Sequence, residues 1–168
     1  TSRVRTTRVL TPPAQPFEHH LWVDGTLMSA NVYVHNSGLA AFRPFVFVEG
    51  IDFGLSGGLP PHRNGDFGWA QFLGCDMDGY PMMAGTPALV DSLIHRGFTP
   101  VLVDFADGTA DLFDNAALLT DILRHLREHR TDPRPLVVSG ASMVGQLARI
   151  ALRHMEVQGD PTCTSLFV

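Results

Sequence analysis

Three short, almost unbroken apolar runs constrain this chain more than any other feature: PFVFVEG at 44–50, TPVLVDF at 99–105 and PLVVSGAS at 135–142. Each has the length of a strand and lacks the alternation of a strand with one wet face, so each is expected to be buried on both faces. Helix-periodic segments separate them. Thr86-Pro87 offers an N-cap and a first-position proline for a helix striped by Leu89, Leu93 and Ile94 and closed by Gly97. After the Asp107-Gly108 turn, Leu112, Ala116, Leu119, Leu123 and Leu126 recur at steps of three and four, which predicts a helix to about Arg130, broken by Asp132-Pro133. The third run passes directly into MVGQLARIALRHM, where Leu147, Ile150 and Ala151 keep helical spacing, and CTSLFV at 163–168 reads as one more strand. This alternation predicts a mostly parallel sheet with helices on both faces and right-handed connections.

The front of the chain differs in kind. Residues 1–18 are rich in Thr, Arg and Pro without periodicity and are expected to form an extended arm outside the domain, which then occupies 19–168. HLWVD and TLMSANVYVH, split by Asp24-Gly25, predict a tight hairpin that enters the sheet antiparallel. From Ile51 to Thr86 runs a Gly-, Pro- and Asp-rich stretch carrying Phe53, Phe67, Trp69, Phe72 and Tyr80. It is too long for an ordinary connector, and its two readings are a functional loop over a binding surface and a plug whose aromatics dock on the core. With 168 residues, 45% hydrophobic, the chain can bury one core of domain size.

Composition excludes several classes of function. All 12 cationic residues are Arg, so Schiff-base lysine chemistry and a phosphate-binding P-loop are absent, and a net charge of -5 without a basic run speaks against nucleic acid. Cys75 and Cys163 are far apart and have no zinc-ligand spacing. His19 and His20 are neighbours on an extended segment and point to opposite faces, which argues against a shared metal ion. His35, His62, His95, His125 and His129 are expected in solvent on loops and helix surfaces. Asp52, Asp104 and Asp107 are expected in turns or caps, and Met82 and Met83 as flexible filling. No cofactor motif is present. No apolar run approaches the length of a transmembrane segment, and Thr1 opens no signal-peptide pattern.

The segment that carries chemistry is VVSGASMVG, 137–145, a strand turning sharply into a helix with Ser142 at the turn. A nucleophile elbow holds its serine in a strained conformation, and strand and helix then approach so closely that small residues are needed two positions to either side. Gly140 meets that demand. Val144 stands where a G-x-S-x-G pattern would have its second glycine.

PFVFVEGID, TPALVDSLIHRGFTPVLVDFADGTADLFDNAALL and VVSGASMVGQLARIALRHME together resemble the lipase-like α/β-hydrolases of bacteria whose elbow reads G-x-S-M-G-G, over roughly Trp22 to Val168. The resemblance implies the N-terminal half of that fold, cut after the strand that follows the nucleophile helix. It implies Ser142 as nucleophile, with the backbone N–H of Met143 and that of Ile51, or of Gly50, as the oxyanion hole. Acyl transfer builds charge on a carbonyl oxygen, which two fixed amides stabilise without reorganising. Serine also requires a histidine base oriented by a carboxylate, and in this fold both follow the serine in sequence. Only His154, Glu156 and Asp160 follow here, with His154 on the elbow helix itself and expected to point away from Ser142. A companion chain or C-terminal half supplying Asp or Glu and His is therefore expected, acting with this chain on a small-molecule or lipid ester. The competing readings are acyl transfer to another acceptor and a non-catalytic binding or assembly module. The absence of lysine, the non-methionine start and the habits of the resembled family lean towards an extracytoplasmic setting.

Overall fold

In a computed structural model of the chain, the residues described are 17–35, 39–48, 89–140, 143–160 and 163–167, the last five as backbone alone. Strands β1 (Phe17–Val23) and β2 (Thr26–Val34) form the expected hairpin. Asp24 and Gly25 both take positive φ, 46° and 82°, which is what a two-residue type I′ turn demands and why Asp-Gly stands there. β1 starts at Phe17, two residues inside the segment expected to be a free arm. Phe17 packs against the main core and lies 5.5 Å from the His125 ring, so its burial draws the strand outwards.

β2 pairs antiparallel with β4 (Thr99–Phe105), and β3 (Pro44–Val48), β4, β5 (Leu136–Gly140) and β6 (Cys163–Phe167) run parallel in the order β1-β2-β4-β3-β5-β6. The apolar runs are buried as their composition demands: every residue of β4 is buried, and all of β3 but Phe45. Successive side chains serve opposite cores. Val46, Val48, Val101, Val103 and Phe105 face the larger core, while Phe47 and Leu102 face a smaller one.

Helix α1 (Leu89–His95) covers the small core with Val90 and Leu93. Helices α2 (Leu112–His129) and α3 (Met143–Val157) cover the large one, with Leu119, Ile122, Leu123, Leu147, Ala148 and Ala151 at its centre. The face assignment follows from the strand order. The step from β3 to β4 runs one way along the sheet and the steps from β4 to β5 and β5 to β6 run the other, so crossovers of a single hand put α1 opposite α2 and α3.

Both α1 and α3 end in Schellman motifs. Gly97, at φ 80°, donates its N–H to Ile94 while Phe98 donates to Leu93, both at 2.9 Å. Gly159, at φ 69°, donates to Glu156 at 3.0 Å and Asp160 to Met155 at 2.8 Å. Asp160 then accepts from Arg124 Nε at 2.7 Å and Arg127 Nη1 at 3.0 Å, tying the end of α3 to α2. At the other end of α2, Asp111 is the N-cap and accepts from the Phe113 N–H at 2.8 Å. Replacing that cap exposes a helix donor without a partner, so Asp111→Ala is expected to lower stability by about 1 kcal/mol and Asp111→Asn by less, read from urea midpoints at unchanged slope.

Candidate active site

The strand order places a crevice before any side chain is considered. The chain leaves β3 towards β4 on one side and leaves β5 towards β6 on the other, and open α/β sheets bind ligands at the carboxyl ends of adjacent strands with such diverging exits. In the parallel register Val46 faces Val138 and Val48 faces Gly140, so both strands finish on one level. Ser142 is the second residue after Gly140, and Gly50 and Ile51 are the second and third after Val48. All three lie outside the described residues, as do Asp52, His62, Cys75, Met82 and Met83.

The described residues around the elbow meet its packing demand in an unequal way. A Cβ placed on Gly140 would stand 3.0 Å from both the carbonyl carbon and the oxygen of Val144 and 3.1 Å from its Cγ1. A Cβ at that distance from main-chain atoms is tighter than nearly all real contacts, so a side chain here would require the start of α3 to shift by a few tenths of an ångström. Val144 is 2% exposed and belongs to the large core, with its Cγ1 lying against the Gly140 end of β5. A valine at this position is therefore compatible with the close approach of strand and helix. Glycine at 140 is what makes it so.

Met143 opens α3 and is half exposed. As the first helical residue, it has an N–H with no acceptor within the helix. Helix α3 also carries no acidic residue in its first turn, whereas α1 has Asp91 and α2 has Asp114 there. The positive end of its dipole thus meets no acidic side chain of its own first turn.

The residues expected to be bystanders divide into three groups. Asp107 folds the turn after β4, accepting from the Thr109 N–H at 2.9 Å and its hydroxyl at 2.7 Å, and those bonds hold its carboxyl below the ordinary range. Asp104 departs from the expected turn role: it lies within β4 opposite Asn31 and is buried, a carboxylate in the sheet beside the crevice strand. Three histidine placements also differ from expectation or refine it. His35 is buried, and burial pushes its pKa down against a partial rise from Asp91. His125 is half-buried against Phe17, His19 and His129. His19 and His20 point to opposite faces, His19 to Asp121 at 2.8 Å and His20 to Glu18 at 3.6 Å.

Downstream of the elbow, His154 is exposed and sits eleven residues along α3 from Met143, roughly 16 Å of helix axis. It lines a shallow groove of about 220 Å³ with Phe113, Thr120 and Ile150. Glu156 pairs with Arg153 at 2.7 Å, and Asp160 is held by Arg124 and Arg127. Among the described residues after the elbow, none is placed as base or acid for it.

No protein-family model matches the sequence, and no curated protein matches it. Solved structures do share its arrangement: an arylesterase (TM-score 0.53, 12% identity, covering 96% of this chain and 49% of that one) and Est1E from Butyrivibrio proteoclasticus (0.51, 10%, 91% and 49%). The esterase Est22 aligns over 90% of this chain and 42% of its own, at a TM-score of 0.51 and 14% identity. The fold is that of the α/β-hydrolases. At these identities the likeness is one of fold, and the chain spans about half the length of the structures it matches.

Because the tight contact is on backbone atoms, Gly140→Ala is expected to destabilise by about 1–3 kcal/mol, the range for forced overpacking. Adding Val144→Ala removes only the Cγ1 contact, so it should restore a minor part of the loss, measured by thermal or urea unfolding of both variants.

Proposed function

We propose that the chain is the nucleophile-bearing half of a serine carboxylic-ester hydrolase of the lipase-like kind. The observation that carries this reading is the coincidence, where β3 and β5 exit the sheet in opposite directions, of a glycine two residues before a serine, on which a Cβ would stand 3.0 Å from the Val144 backbone, and a helix whose first turn carries no acidic residue. Supporting the reading, Ser142 lies in sequence between Gly140, the last residue of β5, and Met143, the first of α3.

In the proposed reaction the Ser142 hydroxyl attacks the ester carbonyl and a histidine takes its proton. The Met143 and Ile51 amides hold the oxyanion, the alcohol leaves with the proton returned by the histidine, and water releases the acyl group by the same steps. The histidine and its carboxylate come from a companion segment or chain beyond these 168 residues, since His154, Glu156 and Asp160 are engaged or remote. Esters are the substrates named for the arylesterase and esterases of like fold, and a small-molecule or lipid ester is proposed here.

A fluorophosphonate probe tests the reading on the protein together with the segment that completes it. Labelling is expected at Ser142, and Ser142→Ala should abolish it while leaving the unfolding midpoint within about 0.5 kcal/mol of the parent. Ester turnover should fall by several orders of magnitude in the same variant. An assembled protein that never labels at Ser142 would instead be a binding module built on this fold.

A further inference from the structure

Three imidazoles of this chain meet where the outer strand of the hairpin lies on α2. The His19 ring centroid is 5.4 Å from that of His125, which is 4.3 Å from that of His129, and Phe17 closes the group at 5.5 Å from His125. His19 Nε2 lies 2.8 Å from Asp121 Oδ2, and its side chain is only 14% exposed. The His129 Nδ1 is 2.8 Å from the carbonyl of His125, one turn back. We propose that His125, packed between His19 and His129 with Asp121 beside them, forms an acid-labile clasp that holds edge strand β1 against α2 while His125 is neutral and releases it when His125 takes a proton.

The argument is one of charge counting in a small space. From β1 the group that faces His125 is His19. From α2 they are Asp121, Glu128 and His129, while Arg124 and Arg127 are turned to Asp160. From β2 the residues facing α2 are Met28, Ala30 and Val32, which carry no charge. A proton on His125 sits in the middle ring of three tilted imidazoles, a half-buried place that disfavours the charged form. Burial, then His129 and His19, pushes the pKa of His125 down, and Glu128 and Asp121 offset this in part.

The sign follows directly. In the open form His125 titrates near the ordinary histidine value of about 6.5, and in the closed form lower. The closed form therefore has its full advantage above that ordinary value, and loses it as pH falls through the depressed one. Between the two, the opening constant rises by up to about tenfold per pH unit for a single proton. The loss is confined to β1, since β2 keeps its own pairing with β4.

Hydrogen exchange at 17–23, corrected for the intrinsic pH dependence of exchange, tests this between pH 7.5 and 5. The protection of β1 amides is expected to fall by up to about tenfold per unit below pH 6.5 while β4 stays protected. His125→Phe keeps a ring in the stack without a titrating nitrogen and should flatten that slope. A β1 protection that does not change with pH, or an unchanged slope in His125→Phe, would overturn the proposal. Should that variant fail to fold, the His125 ring proton followed by NMR decides: a midpoint below that of free histidine supports the clasp, and one at or above it sinks it.

Discussion

Parallel pairing of β3 to a neighbour on each side holds this fold together. Five residues carry it, in register with β4 from Pro44↔Thr99 to Val48↔Val103 and with β5 from Phe45↔Val137 to Val48↔Gly140. The same residues also serve both cores, Val46 and Val48 on one face and Phe47 on the other. A slip of one residue would exchange those faces, driving a phenylalanine into space shaped for valines. Packing thereby fixes the register, and the register sets the level at which β3 and β5 end. The crevice is a by-product of how the two cores are closed.

The ends of the sheet are used differently. At the amino ends of the strands, polar groups stitch neighbours together: Thr99 donates to the Arg43 carbonyl at 2.7 Å, the Phe42 N–H to the Thr131 hydroxyl at 2.7 Å, and Arg43 stacks on Phe98 at 3.9 Å. Arg134 forks onto Asp132 with contacts from 2.6 to 3.1 Å, holding that carboxyl well below the usual range. In a chain without lysine these joins rely on the planar guanidinium, which can bond two oxygens at once. The carboxyl ends of β3 and β5 lead instead into the segments that bear Ile51 and Ser142.

Much of this was legible in the sequence because its signals are local. Strand-length apolar runs, the Asp-Gly turn, the stripe from Leu112 to Leu126 and the glycine at 97 each act through their own backbone, and the elements appear where those signals put them. The strand order was not legible, since nothing in TPVLVDF says that it pairs with both β2 and β3. For the same reason His35, Asp104 and His125 were misplaced: their burial comes from elements distant in sequence. The four-residue spacing of Asp121, His125 and His129 was a usable hint, as residues four apart share a helix face. At the elbow, the sequence gives the candidate serine and the small residue before it, while the geometry adds how unequal the two flanks are.

That inequality has a bearing on how such a site can vary. The strand flank at Gly140 faces main-chain atoms, which no substitution on the helix can move out of the way, whereas the helix flank at Val144 directs its side chain into a deformable core. Sequence drift is therefore channelled. Position 144 can exchange volume with its core neighbours, whereas a change at position 140 must be absorbed by the main chain. A sequence pattern that weighs both flanks equally will pass over members that keep only the rigid one.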